Sequence, residues 1–195
     1  LATAAVVTAG FGMPAADAAP DLLDWFDEGM VVLLNAVANA PADLDVKFFL
    51  PDAPPPRDAW LRRQVHETSV HAIDAMAARL GRAPLPEELW FSPALARDGI
   101  DELLMGFTGL AHYGLTLPRP ARVSVQTDDG LGAWTVAIGP DGAVPASGAH
   151  PDADTVLTGS ARGLYTGLWN RGDAFTTHGD PEPLRFLREQ LRVAR

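Results

Sequence analysis

Apolar residues recur along this chain with two different periods, and the change from one to the other falls near residue 115. Upstream of it they return every three to four positions, as on a helix with one buried face. Between Pro20 and Ala38, the residues Leu22, Leu23, Trp25, Phe26, Met30, Leu33 and Leu34 make a broad helical stripe with acidic residues in its first turn. The run Leu50-Pro-Asp-Ala-Pro-Pro-Pro56 breaks regular structure. Asp58 is then expected to cap a helix that carries Val70, Ile73, Ala77 and Leu80 on its apolar side and ends at Gly81. Ser92-Pro93 is a cap followed by proline at the first helical position, opening a helix through Ile100, Leu103, Leu104 and Phe107 to about Gly109 or His112. Residues 1–9 read as the tail of a further helix, closed by Gly10. Together these predict a helical bundle.

Downstream the period shortens to two. Ala121-Arg-Val-Ser-Val-Gln-Thr127 alternates polar and apolar residues and meets the turn signal Asp128-Asp-Gly-Leu-Gly132. Strands are predicted at Ala133–Gly139, weakly at Ala143–Ala146, at Thr155–Gly159 and near Phe175–His178. Ser160 caps a helix with Leu164, Leu168 and Trp169, and Asp180-Pro181 opens a terminal helix with Leu184, Phe186, Leu187 and Leu191 inside. The expected fold class is α+β: a helical bundle over residues 1–112 and a small sheet backed by helices over 115–195.

Composition narrows the function. The formal charge of −10 and the scattered basic residues disfavour nucleic-acid binding. There is no cysteine, so thiolate nucleophiles and cysteine-based zinc sites are excluded, and any thiol chemistry needs an external thiol. No apolar run approaches the ~20 residues of a membrane span, and the opening residues lack a basic segment before their apolar run. A cytoplasmic protein without membrane or nucleic-acid partners is the expectation. Because the chain opens on Leu1 rather than Met, its natural start is expected to lie upstream.

The chemistry concentrates in Trp60-Leu-Arg-Arg-Gln-Val-His-Glu-Thr-Ser-Val-His-Ala-Ile-Asp74. At about 100° per residue, Glu67, His71 and Asp74 fall within an arc of roughly 60°, beside the apolar stripe. A carboxylate and an imidazole one turn apart are two donors for a divalent metal such as zinc, and equally an ordinary surface ion pair. Asp74 is a candidate to orient the imidazole or to accept a bond from a ligated water. His66 projects into the stripe and reads as a core histidine with one hydrogen bond. The acidic cluster Asp98-Gly-Ile-Asp-Glu102 reads as packing architecture, and His112, His150 and His178 as isolated residues. Arg171 reads as a helix-end charge or as a clamp for a substrate carboxylate.

These words resemble the mycothiol-dependent maleylpyruvate isomerase family. The resemblance rests on Arg62-Arg-Gln-Val-His-Glu-Thr-Ser-Val-His-Ala-Ile-Asp74, Leu85-Pro-Glu-Glu88 and Asp98-Gly-Ile-Asp-Glu-Leu-Leu104. It extends to Ala133-Trp134, Thr158-Gly-Ser-Ala-Arg-Gly-Leu-Tyr165, Leu168-Trp-Asn-Arg171 and Gly179-Asp180. It implies a DinB-like bundle joined to a sterol-carrier-protein-like C-terminal domain. It also implies a zinc ion held by Glu67, His71 and a histidine on the first bundle helix, which has no counterpart in this chain. The implied cofactors are zinc, or another divalent metal, and mycothiol or a similar thiol. Activated by the metal, the thiol would attack a small electrophilic substrate, giving isomerisation or S-transfer, with Arg171 holding an anionic group. The rival reading is a non-catalytic module that binds a metal or an apolar ligand. Substrate and oligomeric state are left open.

Overall fold

The computed structural model describes residues 19–191, so the expected helix tail at residues 1–9 lies outside the described residues. The described residues form two compact units, 19–48 with 54–62, and 49–53 with 63–191.

In the first unit, helix α1 spans Ala19–Asn39. Leu22, Leu23, Phe26, Val31 and Leu34, all on this helix, are exposed. Phe48 and Trp60 meet edge to face at 5.1 Å. Helix α2 spans Pro56–Leu80. The backbone N–H groups of Asp58 and Ala59 both donate to Pro55 O, at 2.9 and 3.0 Å. Pro55 therefore occupies the flanking position, and Asp58 lies inside the first turn rather than capping it. The reason is Pro56, whose fixed φ and missing N–H suit the first helical position. Gly81, with φ 67°, closes the helix in the left-handed region, as expected.

In the second unit, helix α3 spans Pro93–Asp101, and Ser92 caps it by accepting from Leu95 N at 3.2 Å. A wide π turn over Glu102–Phe107 replaces the regular helix that the spacing predicts there. Glu102, Leu103, Leu104, Gly106 and Phe107 are all buried in it. Such wide turns recur at functional sites.

The strands are β1 (Ala121–Thr127), β2 (Ala133–Gly139), β3 (Gly142–Ser147), β4 (Thr155–Gly159) and β5 (Thr176–Gly179). They form one sheet in the order β3-β2-β1-β4-β5. Only the β1–β4 pair is parallel, with Val125 opposite Leu157. Helix α4 (Ala161–Leu168) and helix α5 (Glu182–Gln190) follow β4 and β5. Val123, Val125, Val136, Ile138 and Leu157 of the sheet are fully buried with Leu164, Tyr165 and Leu187 of the helices. The fold class is α+β, as the change of period predicts. Among the described residues no helix is long and apolar enough to cross a membrane.

Helices α3 and α4 pack closely enough to need a glycine. A Cβ on Gly99 would overlap the Tyr165 ring edge and come within 2.8 Å of His66 Nδ1. Gly99 thereby brings α3 and α4 together beside the part of α2 that carries the candidate residues.

Candidate active site

From Arg63 onward α2 belongs to the second unit, and its spacing aligns Arg63, Glu67, His71 and Asp74 along one side. His71 Nε2 lies 3.0 Å from Glu67 Oε1, and its other nitrogen, Nδ1, lies 3.4 Å from Asp74 Oδ2. The remaining oxygen of Glu67, Oε2, accepts from Arg63 Nη2 at 2.9 Å. Arg63 Nη1 donates to Glu102. Asp74 accepts two bonds from Arg171, from Nε at 3.1 Å and from Nη2 at 3.0 Å. The result is one alternating ladder, Glu102–Arg63–Glu67–His71–Asp74–Arg171. Its ends are less exposed than its middle: the side chains of Glu102 and Arg63 are 1% and 6% exposed and that of Arg171 10%, against 45% and 62% for Glu67 and His71.

The surrounding sequence explains why the ends are held. Arg63 lies over the adjoining rings of Phe107 and Trp169, at 5.4 and 5.2 Å from their centroids, so the guanidinium keeps a cation–π environment after losing water. Arg171 is aimed by the end of α4. Asn170 adopts φ 60°, its N–H bonds Gly167 O, and Arg171 N bonds Thr166 O at 2.7 Å. This double closure is the Schellman pattern, with asparagine tolerating the left-handed position. Asn170 Nδ2 also donates to Arg188 O at 3.0 Å.

The structure therefore brings together Glu67, His71, Asp74 and Arg171, the four site residues expected from sequence. It adds a contact that spacing does not reveal: the Arg171 fork grips Asp74. Of the five guanidinium N–H groups, three are engaged, the third through Nη1 to Trp169 O at 2.6 Å. His66 is a core histidine, 1% exposed, with Nε2 at 2.8 Å from Asp98 Oδ2. The acidic cluster is architecture: Asp98 meets His66, Asp101 accepts from the Trp134 indole N–H at 2.9 Å, and Glu102 meets Arg63. His112 stacks on Tyr113 at 4.2 Å, and His150 Nδ1 accepts from Asp152 N at 3.1 Å. Burial pushes the Tyr165 phenol well above its usual range, so it stays protonated beside this cluster. The sequence did not single out Arg63 or Trp169 as site residues, and it placed Glu102 only in the acidic cluster. A signal was present, since Arg63 lies one turn before Glu67.

Whether the residues suit zinc can be tested on the donor set. Glu67 Oε1 and His71 Nε2 face each other, an oxygen and an imidazole nitrogen converging from one rigid helix. They fit two of the three protein positions of a catalytic zinc. Among the described residues, no group of three His, Cys, Asp or Glu side chains could hold a metal ion. Asp74, nearest to a third donor, is committed to Arg171. The described residues thus supply two of the three protein donors that a catalytic zinc takes.

Residues 2–76 match the family model of the mycothiol maleylpyruvate isomerase N-terminal domain. No curated protein matches the chain. Among solved structures, the stereoselective inverting sec-alkylsulfatase Pisa1 from a Pseudomonas species matches at 12% identity and a TM-score of 0.40. A double mutant of that enzyme matches at 13% identity with the same TM-score. Each match covers 54% of this chain and 17% of the other, and at that TM-score neither bears on chemistry. Glu67, His71 and Asp74 all lie inside the residues that are similar to the mycothiol maleylpyruvate isomerase N-terminal domain.

Proposed function

We propose that this chain is a cytoplasmic enzyme that uses mycothiol, or a similar low-molecular-weight thiol, to isomerise or transfer sulfur to a small electrophilic substrate. The observation that carries the reading is the convergence of Glu67 Oε1 and His71 Nε2 at 3.0 Å, inside the matched family segment. In this reading the bundle of residues 1–112 supplies the thiol site. Residues 115–195 form the sterol-carrier-protein-like partner domain.

Glu67 and His71 hold a divalent metal, with a further donor from outside the described residues. When bound, zinc supplies Lewis acidity that makes a thiolate available at neutral pH. The chain's own side chains do the rest. Asp74 keeps the His71 ring from turning by facing its Nδ1. Arg171 holds Asp74 and retains two N–H groups beyond its three bonds, which receive an anionic group of the substrate. The absence of cysteine from the chain agrees with a thiol that comes from solution.

The test uses the full chain loaded with Zn²⁺ and mixed with mycothiol at neutral pH. Thiolate ultraviolet absorption should rise, and it should not rise with Glu67→Ala or His71→Ala protein. Equal absorption in all three proteins would overturn the proposal.

A further inference from the structure

Arg63 is an expensive residue to place where it is. Its side chain is 6% exposed and its counter-charge, Glu102, is 1% exposed. Taking two charges out of water costs so much that apolar side chains of similar size commonly stabilise a fold as well or better. A buried pair of this kind is therefore poor evidence for stability and better evidence for a positional task. The geometry shows which task. The two terminal nitrogens of Arg63 reach two carboxylates, Nη1 to Glu102 inside and Nη2 to Glu67 at the open middle of the ladder. Glu67 is a flexible side chain, 45% exposed, and without a restraint it would sample several rotamers. With Oε2 taken by a guanidinium that Phe107 and Trp169 hold in place, Oε1 is left facing His71.

We infer that Arg63 is a positioning residue: anchored by Glu102, it fixes the Glu67 carboxylate so that its second oxygen addresses the same point as His71 Nε2. The inference rests on the reading of Glu67 and His71 as metal donors, and it makes Arg63 the outer partner of a ligating carboxylate. A lysine could not replace it, because one ammonium lacks the planar fork that spans two carboxylates.

The test has a metal-free arm and a metal arm, both on the full chain. In the metal-free arm, ¹⁵N spectra of the His71 ring are recorded at a pH where it is neutral. Wild-type protein should favour the tautomer with hydrogen on Nε2, donating to Glu67. Arg63→Gln should weaken that preference and move the ring toward the tautomer with hydrogen on Nδ1, facing Asp74. Because Arg63→Gln takes the Arg63 charge away from the buried Glu102, the double variant Arg63→Met/Glu102→Met is measured beside it; it keeps the volume apolar and should show the same shift. In the metal arm, Zn²⁺ affinity should fall about 10–100-fold in both variants. Arg63→Lys should not restore it. In a Glu67→Gln background, removing Arg63 should cost nothing more, since a positioning residue acts through its target. An unchanged tautomer ratio in the folded double variant overturns the inference, and so does an equal loss in the Glu67→Gln background. A tautomer shift in a protein that takes up no Zn²⁺ sustains the positioning role and removes the donor reading instead.

Discussion

Replacing Gly99 by alanine sets two effects of known size against each other. Alanine in a helix interior is favoured over glycine by about 1 kcal/mol. Against this, the new Cβ would overlap the Tyr165 ring and come within 2.8 Å of Tyr165 Cδ2 and of His66 Nδ1. Tyr165 cannot swing away, for it is fully buried, with Phe91 at 5.5 Å and His66 at 5.9 Å between ring centroids. Overpacking a filled core costs roughly 1–3 kcal/mol, and a contact this close to two immobile rings belongs at the upper end. The clash should win, leaving Gly99→Ala about 1–2 kcal/mol less stable. In a chain of this size that lowers Tm by about 2–8 °C. Urea unfolding followed by circular dichroism measures the difference. Tyr165→Leu removes the obstructing ring edge, so adding Gly99→Ala to it should cost nothing or stabilise. Gly99→Ala protein as stable as wild type would show that α3 and α4 are not in the contact described.

Three further outcomes follow from the same structure. Gly29 lies within α1 with no described atom within 4 Å of a Cβ placed there, so Gly29→Ala should stabilise by roughly 0.5–1 kcal/mol in denaturant titrations. The Arg82 guanidinium, and then the Leu85 N–H, hold the Glu88 carboxyl down at about 2. Because this folded value lies below the ordinary 4.5, the stabilisation is complete above pH 4.5 and lost as pH falls toward 2; carbon NMR should find the Glu88 midpoint near 2 and see it rise in Arg82→Ala. Arg171→Lys keeps the charge but loses the two-bond grip on Asp74, and should cost about 1–2 kcal/mol in thermal unfolding.

Much of this molecule was legible in the order of its residues. The change of period near residue 115 separates the helices from a sheet that starts at Ala121, because alternation by two and by three to four are physically distinct burial patterns. Ser92, Ser160 and Gly81 marked helix ends through local chemistry that needs no tertiary partner. Spacing along one helix also brought Glu67, His71 and Asp74 together. What spacing could not supply was pairing across elements. The Asp74–Arg171 grip joins residues 97 positions apart, and Arg63–Glu102 joins residues 39 apart. Nothing in the spacing shows that Phe107 and Trp169 come together under the Arg63 guanidinium. The apolar stripe of α1 misled in the opposite sense, since Leu23 and Leu34 are exposed, at 69% and 60%. Periodicity reports that a face is apolar, not what covers it.

X-ray absorption at the zinc edge of the zinc-loaded full chain shows whether Glu67 and His71 address one cation. An imidazole nitrogen is expected at about 2.0–2.1 Å from the metal, with oxygen at similar distance, and the imidazole signal should be lost in His71→Ala. A spectrum that keeps the same imidazole contribution in His71→Ala, or a wild-type chain that retains no zinc, would contradict a shared cation.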